Sequence, residues 1–137
     1  EQLMHNWLEP LRELRADGDP ATEMAADLDR KIEMSRDYPQ ESRLFANEIL
    51  RGAPTMGDVL AGDLKALVDE KSAIIRRWSE EGRIAPVDPR HLIFAIWSTT
   101  QHYADFDVQV RAVLVDEDPF ENAPEFIETM FRRLLTP

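Results

Sequence analysis

The sequence predicts an all-α domain of six or seven helices, and three observations carry that expectation. Apolar residues recur at spacings of three and four along nearly the whole chain. Prolines and glycines cut this pattern into pieces of helical length. No alternating apolar–polar run bounded by turn residues marks a strand.

The first helix opens the chain, with Leu3, Trp7, Leu8, Leu11 and Leu14 on one stripe. Pro10 lies inside it, has no N–H to donate, and is expected to bend it near Asn6. Asp17-Gly18-Asp19-Pro20 is a stop followed by a start. Gly18 ends one helix, Asp19 caps the next, and Pro20 suits its first position. The second helix is expected over 20–37, with Met24, Leu28, Ile32 and Met34 turned inward, until Tyr38-Pro39 breaks it. A third, over 39–51, carries Leu44, Phe45, Glu48 and Ile49 and ends near Gly52. Pro54 is expected to open a longer fourth helix reaching Glu81, with Leu60, Leu64, Leu67, Val68, Ile74, Ile75 and Trp78 at helical spacing. Gly57 and Gly62 weaken its first turns and push its start later. Asp88-Pro89 repeats the cap-and-proline signal. The fifth helix that follows, through His91, Phe94, Trp97 and Gln101, is apolar on more than one face, which makes it either central or shared with a partner. Residues 117–123 read as a loop, and 124–135 as a short amphipathic helix with Phe126, Ile127, Met130, Phe131 and Leu134.

The 137 residues suit one domain, and 43% apolar residues supply its core. Sixteen basic residues against twenty-seven acidic ones give a net charge of −11. A surface that acidic repels phosphate backbones, so this chain is not expected to hold DNA by its own charge; solubility is the simpler use of it. The absence of cysteine excludes a disulfide framework and a thiolate nucleophile, and fits a reducing compartment, with the cytoplasm as the expected location. No apolar run is long enough to cross a bilayer, and no signal-peptide pattern opens the chain. Glu1 to Leu14 reads as a helix already in progress, so the chain is expected to be cut from a longer one.

Motifs for chemistry are missing. There is no glycine-rich nucleotide loop, no GxSxG elbow and no HExxH, so no catalytic residue and no cofactor is assigned. Asp88 and His91 sit one turn apart, but Asp88 is better used as a helix cap and no third ligand is signalled, so no metal is expected. From residue types alone, the tryptophans are core and Gln101 satisfies buried backbone.

Several blocks carry a more specific likeness: Ser35-Arg36-Asp37-Tyr38-Pro39-Gln40 with Ser42-Arg43-Leu44-Phe45, Gly62 to Leu67 with Asp69 to Ala73, Ala85 to Pro89 with His91 to Phe94, and Ile96-Trp97 followed by Thr100 to Phe106. In this order they resemble the C-terminal domain of TetR-type transcriptional regulators, in the branch governing pyrimidine use. The likeness is best over about 31–111. It implies an effector-sensing, non-enzymatic domain that forms a homodimer through a four-helix interface. Operator DNA would be contacted only by an N-terminal helix-turn-helix half absent from this chain. The fifth and final helices, with Ile93, Phe94, Phe126, Ile127 and Met130, would form the dimer interface. The implied effector is uracil or thymine, bound by Trp97 and Gln101, covered by Trp7, with Arg43 and Ser35 as edge partners. Trp97 and Gln101, four apart on one helix, project to the same side. Two other readings stay open: the same fold with a different inducer, and a helical protein-interaction module with no small ligand.

Overall fold

A computed structural model describes residues 2–137, with the side chains of 2–5 and of Leu60 left aside; the inward positions expected for Leu3 and Leu60 therefore lie outside the described residues. The described chain is helical, with no strand among the described residues. Its elements are α1 (Gln2–Arg12), α2 (Pro20–Asp37), α3 (Pro39–Leu50), the single turn α4 (Gly57–Val59), a π segment (Leu60–Leu64), α5 (Lys65–Glu80), α6 (Pro89–Asp105), α7 (Asp107–Leu114) and α8 (Pro119–Leu135).

Three helices start the same way. The carboxylate of Asp19 accepts the N–H of Thr22 at 3.1 Å, Asp88 those of Arg90 and His91, and Asp118 that of Phe120 at 3.0 Å; a proline follows each at the first helical position. The third of these corrects the expected loop over 117–123. The last helix begins at Pro119, not at Pro124, because Asp118-Pro119 supplies the same cap as the other two. Pro124 is then inside α8, where it forfeits only one backbone bond near the helix start. The gain is a buried stripe at steps of four: Pro119, Ala123, Ile127, Phe131 and Leu135.

The expected fourth helix starts later, at Gly57, and carries a π segment between its first turn and α5. Arg51 and Gly52 close α3, with Gly52 at φ +90 and the Ala53 N–H returning to the Glu48 carbonyl at 2.9 Å. Glu48 also accepts the N–H groups of Thr55 (2.7 Å) and Met56 (3.1 Å) and pairs with Arg51, so one buried carboxylate pins the whole connection. A π turn then precedes α5. Gly62 lies inside it, where the lack of a side chain makes departure from α geometry cheap.

α6 runs through the middle, packed against α2, α3, α5 and α8. Its Leu92, Ile93 and Ile96 meet Ile75 and Trp78 of α5, Leu28 and Ile32 of α2, and Ile127 and Phe131 of α8 in one core. Trp78 is thus core, as its spacing suggests. Ile93 and Ile127 are each 1% exposed. That corrects two of the five expected interface residues: both side chains belong to the interior of a single chain. Their neighbours Phe94, Phe126 and Met130 are the exposed ones. A 100° step per residue separates the two faces, and an apolar pattern does not say which face is inner.

Glu128 of α8 meets Asp29 of α2. A hydrogen bond that protonated Glu128 donates to the Asp29 carboxylate, with some burial and the Asp29 charge, pushes Glu128 up to about 7. Because this lies above the unfolded value of 4.5, the stabilisation is complete below about pH 4.5 and is lost as pH rises through about 7. The melting temperature is therefore expected to decline between pH 5 and 8, modestly because the pair is partly solvated. Glu128→Gln should flatten that part of the slope. Identical slopes in the two proteins would reject the shared proton.

Candidate ligand-binding site

A cavity of about 540 Å³ opens between α1, α2, α3 and α6, with Leu64 of the π segment on one side. This volume falls within the range of small-molecule sites. Its lining is mostly apolar, with Trp7 and Leu8 from α1, Phe45, Ala46, Ile49 and Leu50 from α3, and Trp97 from α6. Five polar side chains converge on it: Lys31, Arg43, Asn47, Gln101 and Asp105.

The helices explain the arrangement. Trp97, Gln101 and Asp105 are four apart on α6, so they form one ladder along the wall. The Gln101 side chain makes no hydrogen bond among the described residues, and its carboxamide is available to a ligand. Trp7, 2% exposed, forms the facing surface. Its indole N–H is buried and has no hydrogen-bond partner among the described residues. Lys31 reaches over the same ring, with Nζ 4.5 Å from the centroid.

Of the five ligand residues expected from the sequence, four are brought together here: Trp7, Arg43, Trp97 and Gln101. Arg43 is also engaged elsewhere, donating to the Ala104 carbonyl at 3.0 Å and pairing with Asp107 at 3.3 Å, so it clamps the junction of α6 and α7 at the cavity's edge. Ser35 is not part of the lining. It is 1% exposed, and its hydroxyl donates to the Thr100 carbonyl at 2.7 Å, tying α2 to α6 behind the wall. Ser42 does similar work from α3, donating to the Asp105 carboxylate.

Lys31 and Asp105 were missed by sequence reasoning, and both had a signal. Lys31 falls on the α2 stripe with Met24, Leu28, Ile32 and Ser35, a cation where apolar residues belong. Asp105 continues the step of four from Trp97 and Gln101. Burial governs the electrostatics. It pushes Lys31 down to about 7 and Asp27, one turn earlier, up to about 6, while each charge partly offsets the other's shift. Burial also raises Asp105, against the hydrogen bond from Ser42 and the charge of Lys31.

A second hollow, about 220 Å³, lies between α2 and the end of α8. It holds none of the expected site residues and is smaller than most ligand sites. Among the described residues, no cluster of three His, Asp or Glu could hold a metal ion, and no helix is long and apolar enough to cross a membrane.

Comparison with known proteins agrees with this architecture. Residues 1–137 match the family described as YcdC-like protein, C-terminal region. The HTH-type transcriptional regulator RutR of Escherichia coli (strain K12) is 49% identical over 140 residues, covering 99% of this chain and 66% of the relative. The protein of the same name from Shigella flexneri gives the same figures, and that of Escherichia coli O157:H7 is 48% identical. The chain thus spans just under two thirds of the length of these relatives.

Proposed function

The chain belongs to the TetR-type family defined by the YcdC-like C-terminal region, and on that footing we propose that it is the effector-sensing and dimerisation part of a transcriptional regulator whose effector is a pyrimidine base, uracil or thymine. Operator DNA is read by another part of the full-length protein, since a net charge of −11 disfavours phosphate contacts from this one. In this reading α1 links the two parts.

The observation that carries the proposal is the convergence of Trp7, Trp97 and Gln101 on one cavity. A flat ring needs an aromatic or apolar surface against its face and matched donors and acceptors along its edge. The tryptophans supply the first. The Gln101 carboxamide supplies the second, its oxygen accepting from an imide N–H and its NH₂ donating to the carbonyl beside it. The mostly apolar lining also supports a second reading, the same domain tuned to another flat, apolar inducer.

A thermal-shift screen of nucleobases and aromatic acids tests both. At a hundredfold excess over Kd, a bound ligand stabilises by about 2.7 kcal/mol, which for a domain of this size raises the melting temperature by roughly 5–10 °C. Uracil and thymine are expected to give that shift, and adenine to give none. An unchanged melt with both pyrimidines at millimolar concentration rejects the pyrimidine assignment, and a shift by another aromatic compound would favour the second reading.

A further inference from the structure

We propose that Lys31 is a ligand-reading residue, its ammonium donating from inside the cavity, against the face of Trp7, to a carbonyl oxygen of the bound ring. The inference rests on this cavity being the effector site.

Lys31 is 1% exposed, yet it lines the cavity. An ammonium carries three donors. Among the described residues, none of them is used in a hydrogen bond, and Nζ lies 4.5 Å from the centroid of the Trp7 ring. A cation–π contact offsets part of the cost of burying a charge, but leaves the N–H groups unsatisfied. A purely structural lysine would close an ion pair. Asp27 on its own helix and Asp105 from α6 act on Lys31 only through their fields, and neither pairs with it among the described residues. From α3 the cavity receives Arg43, a cation, and Asn47, and from α6 Gln101; no hydrogen bond joins either amide to Lys31 among the described residues, and α1 presents the uncharged Trp7. The donors are therefore open to an occupant of the cavity.

Two consequences follow from the chemistry. An ammonium has no acceptor, so it favours a carbonyl over an amino group at that edge of the ring. With Gln101 reading an N–H beside one carbonyl, the favoured ligand is a ring with two carbonyls flanking an imide N–H. Burial also holds free Lys31 near 7, so a ligand that selects the ammonium raises that value and takes up a proton. Affinity is then greatest below about pH 7 and weakens as pH rises toward 8.5. Asp27, at about 6, titrates below this window.

Calorimetric titration of this chain with uracil, cytosine and the non-pyrimidine imide glutarimide tests the proposal, using wild type and Lys31→Met. Methionine keeps the length of the stem and removes an unpaired buried charge, so the ligand-free melt should stay at or above that of wild type. Uracil is expected to bind Lys31→Met about tenfold to hundredfold more weakly. In two buffers of different ionisation enthalpy at pH 8, wild type should take up most of a proton on binding and the variant none. Equal uracil affinity in the two proteins overturns the role of Lys31 and leaves the pyrimidine reading intact. Uracil silence with Lys31-dependent binding of glutarimide removes the pyrimidine reading and leaves Lys31 standing. Cytosine bound as tightly as uracil by wild type, or no binding of any of the three, counts against the proposal.

Discussion

Gln101→Leu is expected to weaken uracil binding tenfold to hundredfold while leaving the ligand-free protein as stable as before. Leucine has similar bulk, so the cavity keeps its shape. What it removes is the pair of edge contacts, and the imide of a buried ligand is left unpaired at a cost of about 1–3 kcal/mol. Stability should hold because Gln101 is only partly buried and no described residue depends on its carboxamide. Trp97→Ala separates the two effects. Its ring packs against both core clusters as well as lining the cavity. Truncation therefore removes stacking and packing together, and up to about 3–5 kcal/mol of stability can go with it. Paired melts with and without uracil read both quantities. A Gln101→Leu protein that binds uracil like wild type would exclude Gln101 from the edge of the ring.

On the proposed function, the same cavity would offer a route from the effector to the DNA-reading part. Trp7 belongs to α1, the helix we propose as the link, and it lies under the Lys31 ammonium. An effector shifts an arrangement only by binding its two forms unequally. A ring stacked on Trp7 would do so if α1 moves between those forms, and Pro10 inside α1 removes one of the bonds that would resist bending.

How much of this was legible beforehand depends on the kind of signal. Helix starts at Asp19-Pro20 and Asp88-Pro89 are local chemistry, and a cap works the same way in any fold. The start at Asp118-Pro119 carried the same signal but was masked by Pro124, a second proline five residues on that looked like the better first position. The break of α6 at Phe106 and the π turn before α5 are tertiary outcomes with no such local mark. For the site, the four-residue step from Trp97 to Gln101 gave a shared face, but only packing decides what that face looks upon. Ser35 shows the limit: a small hydroxyl beside the right helix proved to be holding the Thr100 carbonyl. Lys31 was readable as a charge on an apolar stripe, but its open donors follow from the positions of α1, α3 and α6 together.

Adjacent residues on α8 are expected to fail in opposite ways. Phe126 is 65% exposed, and Ile127 is 1% exposed in the core. If the exposed apolar side chains of α6 and α8, Phe94, Phe126 and Met130 among them, form a two-fold interface with a second copy, Phe126→Glu places a carboxylate against the partner. Losing the burial of one phenylalanine costs about 1.5–3 kcal/mol. At a two-fold interface every substitution counts twice, so the dimer should lose about 3–6 kcal/mol before any penalty for the buried charge. That is a rise of roughly a hundredfold or more in the dimer dissociation constant, enough to move a micromolar sample from dimer to monomer in sedimentation. Its effect on the folding of each chain should be small, since the side chain touches little of its own core. Ile127→Ala should do the reverse. It opens a cavity between α8, α6 and α2 at a cost of about 2–5 kcal/mol in folding, while the outer face of α8 is untouched. Its melt should therefore drop by several degrees at an unchanged dimer mass. Wild type sedimenting as a monomer, or Phe126→Glu remaining dimeric at micromolar concentration, would remove this face of α8 from any interface and leave its apolar side chains without the partner assigned to them.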